Sequence, residues 1–256
     1  MARWAGVMMA VLMLAAGCFA KYGPEKKFDL YITTGYGFGV GGSYLDPSQT
    51  FDAGSLIKRE DHYRNFGWGI KLEGGADYLL MEKLAVQGGL CFNFGVPGIS
   101  SIQDDGVGTK TTANYGWTTF GIKALLKPKF QVFDLFDVYT GFGIGLYFAF
   151  SSADITQTTA TTNYSVKAID GNNPALAFIG SLGAEYPLTE SIILYGELYC
   201  EQMSFTTTQT TYSNSTFPNS YIKPVYYHED EAGSPPPPKT PATNVAIRVG
   251  VRFPLF

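Results

Sequence analysis

The last twelve residues of the chain alternate between apolar side chains and charged or small ones. The apolar positions are Val245, Ile247, Val249, Val251, Phe253 and Leu255. The positions between them include Arg248, Gly250 and Arg252. A period of two is that of a β-strand, because successive side chains point to opposite faces of a sheet. One apolar face and one charged face suit the wall of a membrane barrel, with lipid outside and a polar interior.

Seven further segments alternate in the same way, so the sequence predicts eight strands. The eight predicted strands are residues 28–44, 66–78, 84–96, 115–126, 136–150, 175–186, 192–203 and 245–256. The interior of an eight-stranded barrel is barely wide enough for side chains. The large apolar residues cannot all fit there, whereas the glycine-rich opposite faces can. We therefore predict an all-β chain: an eight-stranded antiparallel up-and-down transmembrane β-barrel whose large apolar side chains face lipid.

The connections between these strands alternate in length. Short turns fall near residues 80–83, 129–134 and 187–191, and the long connections are residues 45–63, 97–114, 151–174 and 203–242. This alternation is typical of barrels with short periplasmic turns and long external loops. Threonine in the long connections favours strand, which would let the wall continue beyond the membrane. Aromatic residues such as Phe66 and Tyr78 are expected in belts at the membrane interfaces.

Residues 1–20 are predicted to be a secretory signal that is cleaved on export. An apolar run over residues 7–17 follows Arg3 and is too short to span a membrane as a helix. Cleavage after Ala20 would leave residues 21–256 as the barrel. Alternatively, residues 14–18 resemble a bacterial lipoprotein box, which would place a lipid on Cys18. Both alternatives take the chain out of the cytoplasm.

Composition excludes several classes of function. The formal net charge is −4, so the chain lacks the basic footprint of a nucleic-acid-binding protein. Beyond the signal, Cys91 and Cys200 are the remaining cysteines, and both lie inside predicted strands. Two cysteines form no disulfide framework and have no metal-ligand spacing.

The eight strands, the alternating connections and the ending Gly250, Phe253 and Phe256 together carry a family resemblance. Over roughly residues 25–256 the chain resembles the small outer-membrane barrels of diderm bacteria, which include the OmpA transmembrane domain, OmpX and OmpW. The resemblance implies residence in the bacterial outer membrane among its lipids. It also implies that Gly250, Phe253 and Phe256 form a signal for the barrel-assembly machinery. Pro254 departs from the pattern, and a bulge there would restore the outward position of Phe256.

Eight charged residues fall on the predicted inner face. They are Lys71, Glu73, Lys123, Glu185, Glu197, Glu201, Arg248 and Arg252. Charges in so narrow a lumen must pair, because an unpaired buried charge is strongly destabilising. Two interpretations remain open: a structural ion network that plugs the barrel, or a polar constriction that gates a narrow pore.

We predict a non-enzymatic protein with a largely plugged lumen. Its external loops (45–63, 97–114, 151–174 and 203–242) would bind host or other extracellular molecules, or the barrel would stabilise the envelope. One alternative is a narrow porin-like conduit, similar to OmpW, for small solutes including hydrophobic ones. Another is a lipid-modifying enzyme at the rim that uses His62 or His228, although no motif fixes a nucleophile beside either histidine.

Acidic side chains in the external connections raise the question of a metal site. Asp104 and Asp105 are adjacent, and residues 229–231 are all acidic. Exposed runs of acidic residues are usually solvated, and their charge alone does not make a cation site. We therefore predict no metal and no cofactor.

Overall fold

The computed structural model describes residues 28–52, 55–81, 83–95, 99–106, 108–132, 136–189, 191–213, 216, 225–226 and 237–255. These ranges include no helix with the length and apolarity needed to cross a bilayer. The signal segment 1–20 with Cys18, and also His228, residues 229–231 and Phe256, lie outside the described residues.

The described residues form fifteen strands. In chain order they are β1 (Phe28–Gly39), β2 (Ser43–Asp52), β3 (Ser55–Arg64), β4 (Gly69–Met81), β5 (Leu84–Phe94), β6 (Ile99–Asp104), β7 (Lys110–Val132), β8 (Phe136–Thr158), β9 (Asn163–Asn172), β10 (Ala175–Thr189), β11 (Ile192–Gln202), β12 (Ser204–Ser213), β13 (Val225–Tyr226), β14 (Lys239–Pro241) and β15 (Asn244–Leu255).

Eight of the strands close into a ring. Its order is β1–β4–β5–β7–β8–β10–β11–β15 and back to β1, with every pair antiparallel. The ring closes between β1 and β15, where Phe28 faces Leu255 and Gly39 faces Asn244. This confirms the predicted eight-stranded barrel. The prediction of a bulge at Pro254 is wrong, because Asp29 faces Pro254 in an unbroken register.

The sidedness predicted from volume is also confirmed. Outward apolar side chains are widely exposed, for example 65% at Ile32 and 64% at Phe142, whereas Arg252 on the inner face is 0% exposed. One belt residue was placed wrongly, since Phe66 is 0% exposed, whereas Tyr78, although 8% exposed, lies opposite the outward Phe28. For Phe66 the reason is that β4 begins only at Gly69, so the alternation does not extend back to it.

The inner wall pairs tyrosines with glycines. Four inward tyrosines each lie directly opposite a glycine of the neighbouring strand. The pairs are Tyr31 and Gly75, Tyr139 and Gly183, Tyr147 and Gly121, and Tyr195 and Gly250. A Cβ atom added at Gly183 would lie 2.5 Å from Cζ of Tyr139, and the same holds at Gly250 for Tyr195. Each ring therefore occupies the volume that the glycine leaves empty.

Beyond the end of the ring that carries the long connections, the wall continues as a sheet. β7 and β8 run through this level unbroken, each for 23 residues, and pair as far as Lys110 and Thr158. The other six wall strands are interrupted there, and β2, β3, β6, β9, β12 and β14 lie beyond the interruptions. The description of residues 45–63, 97–114, 151–174 and 203–242 as loops was therefore wrong in part, because much of each is strand.

We expect Gly183→Val to destabilise the barrel, because the new side chain would overlap the ring of Tyr139 and the backbone oxygen of Gly196. Overpacking of this kind costs about 1–3 kcal/mol. Gly180→Val in the same strand is the matched control, since nothing lies within 4 Å of a Cβ atom there. Urea unfolding in detergent micelles measures both variants. Equal stability of the two would contradict the tyrosine–glycine fit.

Candidate functional site

The barrel lumen contains twelve buried charged side chains. The acids are Asp29, Glu73, Asp77, Glu185, Glu197 and Glu201, and the bases are Lys71, Lys123, Lys127, Lys129, Arg248 and Arg252. All eight residues singled out from the sequence are among them. The numbers of acids and bases are equal, six and six, although four of these residues were not in the predicted set.

The four missed residues had a signal in the sequence. The predicted strand 115–126 ended too early, whereas β7 continues to Val132 and keeps Lys127 and Lys129 on the inner face. Following the alternation for two more steps would have found them. Asp29 and Asp77 stand on the polar faces of the first two predicted strands and face each other in the ring. Because they lie on the same face as the predicted inward charges, the alternation would have included them in the predicted set.

An upper layer of the lumen is organised around Glu201. Its carboxylate accepts hydrogen bonds from Lys71 Nζ at 2.9 Å, Asn244 Nδ2 at 3.0 Å and Tyr199 Oη at 2.6 Å. Tyr147 Oη is a fourth donor to it. One lysine therefore balances one glutamate, and the other donors satisfy the remaining oxygen lone pairs.

A middle layer is centred on Arg248, whose guanidinium lies between two glutamates. Nη1 is 2.5 Å from Glu73 Oε2, and Nη2 pairs with Glu197. Glu73 is also 2.7 Å from Lys123 Nζ and accepts a hydrogen bond of 2.6 Å from Tyr31 Oη. Two acids and two bases make this layer neutral as well.

A lower layer, at the end of the barrel with short turns, is built on Arg252 and Glu185. Arg252 is 2.6 Å from Glu185 through Nη1 and 2.6 Å from Asp77 through Nη2. Lys129 Nζ is 2.8 Å from Glu185, and Lys127 Nζ is 3.9 Å from it. With the buried carboxylate of Asp29, three acids oppose three bases.

Tyrosine rings connect the three layers. The Arg248 guanidinium carbon lies 3.4 Å from the ring centroid of Tyr199, and Lys127 Nζ lies 3.8 Å from that of Tyr139. Tyr139 in turn donates a hydrogen bond of 3.0 Å to Glu197. A cation over an aromatic face is stabilised electrostatically. The charged groups and rings thus form a continuous packed column along the lumen.

An aromatic cluster lies at the end of this column that is next to the long connections. The ring centroid of Phe66 lies 6.0 Å from that of Trp117 and 5.8 Å from that of Phe205. All three side chains are buried. Phe66 comes from the segment before β4, Trp117 from β7 and Phe205 from β12, so residues from distant parts of the chain meet over the column.

The remaining candidate residues do not gather into a second site. In the turn after β6, Asp104 Oδ1 accepts a hydrogen bond from the backbone of Gly106, and Asp105 Oδ1 accepts one from Thr109. Among the described residues no cluster of three or more His, Cys, Asp or Glu side chains could hold a metal. His62 lies in β3 opposite Leu45. The assembly role of Gly250 and Phe253 stays a prediction.

A cavity of about 400 Å³ opens at the outer face of the barrel. It is lined by Phe136, Ala184, Glu185, Tyr186, Leu194, Tyr195 and Gly196. The lumen, by contrast, is occupied by the chain's own side chains at the level of each of its three layers.

No protein-family model matches the chain, and no curated protein matches it significantly. Among solved structures it is similar to the outer membrane protein OprG from Pseudomonas aeruginosa. The identity is 10% and the TM-score 0.48, covering 90% of this chain and 95% of that one. It is also similar to a major outer membrane protein from Thermus thermophilus, with 16% identity and a TM-score of 0.47 over 91% and 100% of the two chains.

The geometry of the described strands meets the requirements of a membrane-spanning sheet. A closed ring leaves no unpaired strand edge in the bilayer, which is what lipid requires of a spanning sheet. The outward apolar side chains supply the lipid-facing band, and the even number of antiparallel strands is that of bacterial outer-membrane barrels. The chain folds as an eight-stranded transmembrane β-barrel with an apolar outer face and an ionic interior.

Proposed function

We propose that this barrel is a closed, non-enzymatic membrane anchor that carries an extracellular β-sheet for binding or for envelope structure. The observation that supports this most is the lumen, which three neutral ionic layers fill and an aromatic cluster caps. Nothing needs to pass through such a barrel for it to hold a sheet at the cell surface. The sheet, not the lumen, is then the functional surface.

The lumen argues against the conduit alternative on energetic grounds. A solute crossing the middle layer would have to displace Arg248 from Glu73 and Glu197. Leaving any of these buried charges without its partner costs on the order of 3–5 kcal/mol. The layers above and below would each raise a similar barrier. Passage would thus require several coupled rearrangements of side chains that pack against one another.

The extracellular sheet is well suited to present a surface. β7 and β8 carry the barrel wall outward without a break, and β9 pairs with β8 from Phe150 and Gly171 to Thr158 and Asn163. Its partners would be host or neighbouring-cell molecules that meet residues 45–63, 97–114, 151–174 or 203–242. Catalysis has less support: His62 lies in the hairpin β2–β3, and His228 lies outside the described residues.

Replacing Arg248 by Met should destabilise the protein by about 3–5 kcal/mol, because Glu73 and Glu197 would lose a shared buried counter-ion. Lys58→Met is the matched control. It removes an exposed ion pair with Glu60, which contributes about 0–1 kcal/mol. Urea unfolding in micelles gives both values. A loss at Arg248 no larger than that at Lys58 would show that the column is not a stabilising network.

Purified protein in planar lipid bilayers should give no reproducible conductance steps, because the lumen is filled at every layer. A variant with Phe66, Lys71, Arg248 and Arg252 all changed to Ala is the positive control, since it removes the aromatic cap and one large side chain from each of the three layers and should conduct. The wild type would be a conduit if it showed conductance steps that shrink or vanish in Lys71→Ala but persist in the outward-facing variant Leu72→Ala. That result would overturn the closed anchor.

The orientation of the sheet can be checked by cysteine labelling in intact cells. In a Cys200→Ser background, Ala160→Cys places a thiol in the exposed turn between β8 and β9, and Ser191→Cys places one in the exposed turn at the opposite end. We expect a membrane-impermeant maleimide to label the first variant and to spare the second until the cells are broken. The reverse pattern would rule out a surface-exposed sheet.

A further inference from the structure

The outer face of the barrel has a depression where two small residues stand between large ones. Ala184 in β10 and Gly196 in β11 lie opposite each other at exposed positions of the two strands. Large side chains occupy the outward positions on either side of this pair: Tyr186 with Leu194 toward the short turns, and Leu182 with Leu198 in the other direction. The outer wall is therefore lowered by one row of side chains at this place.

The cavity of about 400 Å³ described above is lined by both of these small residues. Gly196 leaves its position open, since a Cβ atom there would meet nothing closer than the backbone oxygen of Arg248 at 3.9 Å. The volume lies within the roughly 300–1,000 Å³ of small-ligand sites in proteins. The depression is therefore large enough to hold part of a ligand.

The surface inside the cavity is almost entirely apolar. Glu185, the acid among its lining residues, is 2% exposed and pairs with Arg252 and Lys129 in the lower layer. Tyr195, which also lines the cavity, is 5% exposed and lies over Gly250 on the inner wall. A charged ligand would gain nothing from these buried groups, so the chemistry of the cavity favours a hydrocarbon.

The surroundings of the cavity supply such a hydrocarbon. It opens on the apolar outer wall close to the short turns, where β10 ends at Thr189 and β11 begins at Ile192. Lipid of the leaflet on this side of the membrane therefore meets it. Tyr186 at its edge is exposed, and tyrosine suits the level of the lipid headgroups because its ring is apolar and its hydroxyl polar. An acyl chain that starts at this level reaches Ala184 and Gly196 next.

A second copy of the barrel would fit the depression poorly. In a two-fold contact between copies the same surface patch faces itself. The depression at Ala184 and Gly196 would then meet its own counterpart, and the volume of both would stay unfilled. Unfilled volume loses packing contacts on one side. A flexible acyl chain, in contrast, adapts to the shape of the depression.

We propose that this depression, called the acyl groove, binds one acyl chain of a membrane phospholipid. The groove consists of Ala184 and Gly196 with the large side chains of Phe136, Tyr186 and Leu194 around them. The acyl chain fills the space over the two small residues and packs against the three large ones. One lipid molecule is then a fixed component of the barrel, distinct from the exchanging lipids around it. The site goes beyond the anchoring role, because it exists whatever the extracellular sheet binds.

Photolabelling of the full chain in vesicles of phosphatidylethanolamine and phosphatidylglycerol tests the groove. A trace of the phosphatidylethanolamine carries a diazirine on its acyl chain, and mass spectrometry of peptides locates the adducts after irradiation. In the wild type we expect adducts on residues 184–186 and 194–196. Gly196→Leu places a side chain in the groove where a Cβ atom has room, so labelling of these residues should fall severalfold.

Gly88→Leu is the matched control. Gly88 is exposed on β5, on the opposite side of the ring, and a Cβ atom there meets nothing within 4 Å. This variant should keep wild-type labelling of residues 184–186 and 194–196. Ala184→Leu fills the groove from β10 and should lower the labelling as Gly196→Leu does. Unchanged labelling in both groove variants, or an equal loss in Gly88→Leu, would mean that ordinary surrounding lipid is all that meets this wall and would refute the site.

Sedimentation of the wild type in micelles distinguishes a lipid from a second copy. We expect the mass of one barrel. A mass of two barrels that returns to one in Gly196→Leu would also refute the acyl groove, because a second copy would then cover it.

Discussion

The structure depends on charge compensation in a space too narrow for bulk water. Among the described residues, twelve charged side chains point into the lumen, and each of the three layers contains as many acids as bases. A buried charge without a partner is costly, whereas a charge with good geometry and additional hydrogen bonds is tolerated. Arg248 illustrates the principle, since it satisfies Glu73 and Glu197 at once and rests on the ring of Tyr199. Local neutrality is what allows so many charged side chains to be buried inside the barrel.

Steric complementarity between tyrosines and glycines adds to the charge pairing inside the barrel. The tyrosine rings opposite the inward glycines fill the volume that those glycines leave, and the hydroxyls of Tyr31, Tyr139 and Tyr147 donate to glutamates. Tyr139 does both, because it covers Gly183 and donates to Glu197. The same arrangement explains why bulky apolar residues are found outside. The inner volume is already occupied, so lipid is the remaining environment for residues such as Ile32 and Phe142.

Strand parity made much of this predictable. The period-two alternation predicted the eight-stranded ring, which of its faces is apolar and eight of the lumen charges. It could do so because one buried face fixes which residues point inward. Lys127 and Lys129 were missed at a strand end, where alternation was not followed far enough. Phe66 could not be placed by parity, because a non-strand segment carries it into the mouth. The position of the β2–β3 hairpin could not be predicted either. It depends on the pairing of Gln49 in β2 with Gln103 in β6, which no local sequence pattern encodes.

The two unbroken strands β7 and β8 have a mechanical consequence. They are the route by which the ladder runs from the membrane into the surface sheet without interruption, whereas the other wall strands are broken where the two meet. Tension on a bound surface partner would load this ribbon lengthwise, against many backbone hydrogen bonds at once. The broken strands would instead rotate at their interruptions. The sheet is thus connected to the barrel by one continuous two-stranded ribbon, which would resist pulling more than tilting.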